Sequence, residues 1–352
     1  MERAAIRLIH AVSQMALLIG AAVLAGCNTV PYEKGAIWCN EPLRYGAGVH
    51  FDKRHLDVAR RGYIYALAAA YVLQSNSCES KTHWFNLPAR LKEVDSPERD
   101  SSGFEVKTFE LRESPEDAEP SQIIIAYTGS NDSADWIFTN LFFSKTQYDL
   151  AKSYLQRVVA QHPGKPIVVT GFSLGAALAA HVTKDKSTRK HVKQAWLFNP
   201  SPKTYANNRY DERIWIGALR GEALHLLRNE FMETVWPGIQ RIGAPSDQDA
   251  EDYYLISAFP IYGHYRWALM RNILFVAEYA HLNKEIGPVD SRRKNEPREI
   301  LEASSFKACE REAAWRHQVL RNQRANQEKV SASLTEAESK ASAKATEAIE
   351  DD

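Results

Sequence analysis

Apolar positions along this chain keep two different rhythms, and the two alternate through its middle. From Phe51 to Leu73 (FDKRHLDVARRGYIYALAAAYVL) they recur at helical spacing among good helix formers, which predicts a helix packed on a sheet. Phe104 to Leu111 alternates as a half-exposed strand does. Ile123 to Tyr127 is a continuous run rich in β-branched residues, which suits a parallel strand buried on both faces. Gln147 to Gln161 is amphipathic and ends at the turn HPGKP, which leads into a second apolar run and then a helix of small residues, PIVVTGFSLGAALAA, from Pro166 to Ala180. Lys193 to Phe198 and Ala223 to Leu227 are further short apolar runs, read as strands. Strand and helix signals thus alternate from residue 104 to 228, which predicts a mainly parallel sheet covered by helices, an α/β fold. Tyr262 to His281 carries the apolar helical stretch WALMRNILFVAEY, read as a core helix, with a position beside the entrance to a site as the alternative.

The two ends depart from this pattern. Arg3 and Arg7 precede an apolar run from Val12 to Ala25, and Leu-Ala-Gly-Cys follows, ending at Cys27. The run is short for a membrane span. The tetrapeptide resembles the lipobox of bacterial lipoproteins, in which the cysteine is acylated and becomes the mature N-terminus. That resemblance implies a signal peptide over 1–26, lipidation of Cys27 and a place in the bacterial cell envelope. Asn28 in place of an aspartate implies, by the same analogy, the outer membrane, facing the periplasm. A plain secretory signal or an uncleaved anchor is the alternative. Residues 27–50 then form a tether and 51–295 the folded domain. From Glu296 the composition turns to Glu, Lys, Arg, Ala and Ser, so 296–352 reads as a charged helical or disordered tail without apolar heptads, solubilising or reaching toward an envelope partner.

Composition narrows the function classes. Of the 352 residues 44% are hydrophobic, enough for one large core or two modest ones. The 44 basic side chains are matched by 44 acidic ones, so there is no overall basic field and nucleic acid is not an expected partner. With Cys27 assigned, Cys39, Cys78 and Cys309 remain; export permits one disulfide, expected between Cys39 and Cys78, and leaves an odd thiol. Their spacing does not suit a metal site, and none of the Cys, His, Asp and Glu groups has ligand spacing, so neither cofactor nor metal is implied.

The chemistry centres on Gly171-Phe172-Ser173-Leu174-Gly175. A Gly-x-Ser-x-Gly set between an apolar strand and a helix is the nucleophile elbow of α/β-hydrolases, a turn so tight that only glycine-sized neighbours fit around the serine. Upstream, Gln122 to Phe143 reads QIIIAYTGSNDSADWIFTNLFF. It closely resembles the oxyanion strand and loop of the class 3 (fungal-type, triacylglycerol) lipases, with Thr128, Gly129, Ser130, Asp135 and Trp136 at the matching positions. The resemblance spans roughly Tyr63 to His281. It implies the α/β-hydrolase fold and hydrolysis of carboxylic esters of lipids. Thr128 departs from it, standing where most relatives carry arginine.

In this fold the triad follows the chain order Ser, acid, His. Among the histidines after Ser173, His181 lies on the elbow helix, His191 comes too early, His225 falls in an apolar strand and His317 in the tail. His264, in the Gly-flanked, aromatic FPIYGHYRW, is the expected base, with His281 behind it. The family's aspartate is missing from LHLLRNEFMETVWPG, where Glu233 keeps an acid-x-Val pattern and is the expected acid, with Glu230 the alternative; Asp247, Asp249 and Asp252 read as solvated surface, with recruitment of one of them as the acid a further alternative. The resemblance places the oxyanion hole at the N–H groups of Ser130 and Leu174, with Asp135 bracing the loop and Trp136 packing beneath it. The expected function is a membrane-anchored serine hydrolase of lipid or small esters working through an acyl-enzyme. An acyltransferase with the same triad, and a non-catalytic envelope lipoprotein on a degenerate hydrolase fold, are the competing readings.

Overall fold

A computed structural model describes residues 52–74, 84–129, 145–228, 241–253 and 263–282, together with 233–234, 239, 299–300 and 303. The chain separates into two compact units, Met1–Phe306 and Lys307–Asp352, and every described residue belongs to the first. The expected signal peptide, Cys27, the other three cysteines and all of the expected tail except Glu299, Ile300 and Ala303 lie outside the described residues; these three belong to the domain, where Glu299 pairs with Arg90 at 2.9 Å and Ile300 and Ala303 are buried.

Among the described residues seven strands form one sheet in strict sequence order: β1 (Leu91–Asp95), β2 (Val106–Leu111), β3 (Gln122–Tyr127), β4 (Ile167–Phe172), β5 (Val192–Phe198), β6 (Ile214–Leu219) and β7 (Asp249–Tyr253). The first two pairings are antiparallel and every later one is parallel. The architecture is therefore the mainly parallel, helix-flanked sheet of an α/β-hydrolase.

Among the described residues four helices cover it: α1 (Lys53–Tyr71), α2 (Thr146–Gln161), α3 (Leu174–Lys184) and α4 (Arg266–Leu282). α2 and α3 pack on one face, where Ile123, Ile125, Tyr127, Val169, Leu197 and Ile216 join Leu155, Val158 and Leu178 in one apolar cluster. α1 crosses the opposite face and α4 packs on α1. Gly62 brings α1 close enough to the sheet that a Cβ there would meet the Trp196 ring at 2.6 Å. β4, covered on both faces and paired on both edges, is buried at every position, which is why its sequence is an unbroken apolar run. The Tyr262–His281 stretch is indeed a core helix: Trp267, Ile273, Leu274 and Val276 are all buried.

Ala223–Leu227 is not a strand; the chain turns there and closes a 3-10 helix at His225–Arg228. The strand of this region is β6, IWIGAL, all six positions buried. A short apolar run is ambiguous between a strand and a capped turn, and here the turn won.

Candidate active site

Parallel strands place their C-terminal ends along one edge, and the site lies there. Where β4 gives way to α3, Ser173 adopts φ 56° and ψ −118°, a conformation costly for any residue with a Cβ. The turn is tight because its neighbours lack side chains. A Cβ on Gly171 would stand 2.2 Å from the Gly175 carbonyl carbon, and one on Gly175 would stand 2.1 Å from the Tyr127 carbonyl oxygen. The bend is pinned by the Ser173 N–H donating to the Phe198 carbonyl (2.9 Å) and by the Ser173 carbonyl accepting from the Ser201 amide (3.0 Å). Leu174 opens α3, so its N–H has no acceptor inside the helix. Gly129 leads the chain past the elbow, since a Cβ there would meet the Phe172 carbonyl oxygen at 2.6 Å. Ser130, Asp135 and Trp136 lie outside the described residues.

His264 sits just before α4 and is buried against the Phe172 ring. Its Nε2 lies 2.9 Å from Ser173 Oγ, and its Nδ1 lies 2.6 Å from Glu222 Oε2. A carboxylate can only accept, which assigns the ring proton to Nδ1 and leaves Nε2 free to accept from the serine hydroxyl. Glu222 itself is fully enclosed, with 0% of its side chain exposed. Burial pushes its carboxyl up, but the Arg228 charge first, then His264 and the Leu224 amide, outweigh burial and bring it down to about 2. An ionised acid, an oriented imidazole and a hydroxyl in one hydrogen-bonded line are groups that can activate a nucleophile, on a turn where the first helix N–H, that of Leu174, lacks an acceptor in the helix.

The acid of this set corrects the sequence expectation. Glu233 meets Asn208 instead, accepting from its Nδ2 at 2.9 Å at the surface, and Glu230 lies outside the described residues. Reading Ala223–Leu227 as a strand placed the acid one element too late. The signal that marks Glu222 is the apolar run IWIGAL followed by Arg220-Gly221, a turn in which Gly221 has φ +75°. His225 is likewise not a core strand residue but a partly exposed member of the 3-10 helix. His181, on α3, bonds the Thr204 carbonyl through Nδ1 (3.0 Å), and burial lowers its pKa. The side chain of His281 lies outside the described residues. Asp249 and Asp252 lie on β7 rather than in a loop, and Asp252 pairs with Arg54 at 2.8 Å.

Asn199, which sequence reasoning passed over, joins the loops that carry acid and base. It follows β5 with φ 41°; its Oδ1 accepts from the Leu219 amide (2.9 Å) and its Nδ2 donates to the Gly263 carbonyl (3.0 Å). Among the described residues no three His, Cys, Asp or Glu side chains converge as a metal set, and no helix is long and apolar enough to cross a membrane.

No family model and no curated protein matches the chain. Solved structures do. Lip2 lipase from Yarrowia lipolytica is 13% identical with a TM-score of 0.41, the match covering 62% of this chain and 95% of that one. A lipase from Rhizopus microsporus var. chinensis is 14% identical with a TM-score of 0.33, over 50% of this chain and 70% of that one. A triacylglycerol lipase from Penicillium expansum is 12% identical with a TM-score of 0.33, over 58% and 80%. At these identities and TM-scores the likeness carries no argument about activity.

Proposed function

We propose that this protein is a serine hydrolase of carboxylic esters, acting on lipid esters. The observation that carries the reading is the hydrogen-bonded line Ser173–His264–Glu222, with steps of 2.9 and 2.6 Å, mounted on a strained elbow. Ser173 Oγ attacks the ester carbonyl while its proton passes to His264 Nε2; Glu222 holds Nδ1 and favours the imidazolium. The carbonyl oxygen becomes an oxyanion, received by the Leu174 N–H and, by the lipase resemblance, by Ser130. Collapse breaks the C–O bond to the alcohol, which leaves with the proton from Nε2. Water, deprotonated by the same nitrogen, then releases the acid from the acyl-enzyme and restores the serine.

The lipid part of the reading rests on the YTGS…DW and GFSLG resemblance. With it goes the proposal that acylated Cys27 tethers the domain in the envelope beside its substrate, and that the tail beyond Ala303 meets a partner there.

The test is release of fatty acid from tributyrin and longer triacylglycerols, followed by titration, beside p-nitrophenyl esters. Wild-type protein is expected to hydrolyse them and Ser173→Ala to lose at least about a thousandfold in kcat. Activity retained in clean Ser173→Ala overturns the reading. Transfer of the acyl group to an added alcohol in preference to water identifies an acyltransferase instead.

A further inference from the structure

The buried carboxyl of Glu222 has two oxygens, and the base occupies only one. Oε2 takes His264 Nδ1 and the Leu224 amide (2.9 Å), while Oε1 takes Arg228 Nη1 at 2.6 Å. Arg228 is as enclosed as its partner, with 3% of its side chain exposed. Its Nη1 also donates to the Pro200 carbonyl (2.8 Å), at the end of β5, and its Nε donates to Glu251 Oε2 (2.7 Å), on β7. Alternating charge therefore runs from the base through Glu222 and Arg228 to Glu251.

Glutamate in the acid position has one more side-chain torsion than aspartate, and its terminal torsion is broad, so an unheld carboxyl would wander from Nδ1. The Arg228 bond fixes it. An uncompensated buried guanidinium at that place would cancel the field by which Glu222 favours the imidazolium. Glu251 supplies the second negative charge, leaving the three side chains with one net negative charge, as a lone carboxylate would have. Other charges face this line. Asp249 stands on the same strand as Glu251, and burial, then the Glu251 charge, push its carboxyl up to about 7 against the pull of Arg54, Arg228 and Arg241. His225 Nδ1 lies 3.8 Å from Glu251.

We propose that Arg228 is a positioning residue for the triad acid, locking the glutamate against His264, and that Glu251 balances its charge so that a net negative field remains on the imidazole. The proposal rests on the hydrolase reading above and deepens it.

Second-order labelling of Ser173 by a fluorophosphonate, followed by intact mass across pH, tests it without a known substrate; kcat and KM on p-nitrophenyl butyrate accompany it. Arg228→Met is expected to slow labelling about ten- to a hundredfold at neutral pH with KM unchanged. Its acidic limb moves to higher pH, because burial then dominates at Glu222. Arg228→Lys recovers only part of the rate, since a point charge cannot meet Glu222, Pro200 and Glu251 together. Glu251→Gln leaves the guanidinium uncompensated, so its acidic limb moves to lower pH and labelling slows several-fold. Asp249→Asn leaves the limb in place. A purely structural role would lower the melting temperature without moving either limb.

Folded Arg228→Met or Glu251→Gln with wild-type rate and limb overturns the proposal, as does an Asp249→Asn limb that reproduces that of Glu251→Gln. If Arg228→Met does not fold, Glu251→Gln carries the test, because its side chain is 23% exposed and its loss is tolerable. Wild-type protein that takes no label overturns the hydrolase reading itself, a result distinct from normal labelling in every variant.

Discussion

Glu222 Oε2 and His264 Nδ1 meet at 2.6 Å across 42 residues of chain. The meeting is arranged by the strand ends: Glu222 follows β6, His264 precedes α4, and Asn199 at the end of β5 bonds the backbone of both approaches, at Leu219 and at Gly263. Glu233 is engaged elsewhere, accepting from Asn208 at the surface.

The first prediction separates the two glutamates. Glu222→Gln keeps the shape but can present its amide N–H to His264, favouring the wrong tautomer. We expect kcat to fall about a thousand- to ten-thousandfold. Glu233→Gln is expected to stay within about twofold of wild type, because its contact is at the surface. Steady-state kinetics on a soluble ester checks both.

The elbow stores strain, and relieving it should stabilise the fold. Ser173→Gly removes the Cβ from a residue held at φ 56°. It is expected to be inactive and yet more stable by about 1 kcal/mol, raising the melting temperature by about 2–4 °C. Calorimetry measures it; a melting temperature below wild type contradicts the strain.

Gly175→Ala should do the opposite. The new methyl would sit 2.1 Å from the Tyr127 carbonyl oxygen, and the atoms it meets are all backbone of Tyr127 and Thr128, with nothing flexible to yield. A loss of at least about 2 kcal/mol is expected, together with loss of activity as α3 is pushed from β3. Thermal melting and ester turnover report the two effects separately.

Stability should depend on pH through two carboxyls of opposite sign. Glu222, depressed to about 2 in the fold, contributes stability above its unfolded pKa of ~4.3 that is lost as pH falls toward 2. Asp249, raised to about 7, contributes stability below its unfolded pKa of ~3.9 that is lost as pH rises through 7. Asp249→Asn should therefore raise the melting temperature at pH 8 and give no gain at pH 4. Equal shifts at the two values would contradict the assignment.

Ser173 was legible because the elbow is a local motif whose glycines and serine are fixed by one turn. His264 was legible from chain order and its Gly-aromatic setting. Glu222 was not, because its role is defined by tertiary position, and the strand that delivers it competes with a rival apolar run. IWIGAL carries Gly217 in its middle, whereas ALHLL looks cleaner but closes a turn. β7 was hidden for another reason: DAEDY carries three acidic groups and only Ala250 and Tyr253 are buried apolar positions, while Arg54 and Arg228 pair with Asp252 and Glu251. Glu251, between two acidic residues that read as solvated surface in the sequence, is bonded to Arg228 and so belongs to the network around the acid.

The central claim is that Ser173 is activated by His264 under the control of Glu222. Intact-mass labelling with a fluorophosphonate tests it most directly, on wild-type protein beside Ser173→Ala, His264→Ala, Glu222→Gln and Glu233→Gln. The account predicts one adduct on wild type, none on Ser173→Ala, strongly slowed labelling in His264→Ala and Glu222→Gln, and a wild-type rate in Glu233→Gln. A folded wild-type protein that takes no adduct, or a Glu222→Gln variant that labels as fast as wild type, would contradict it.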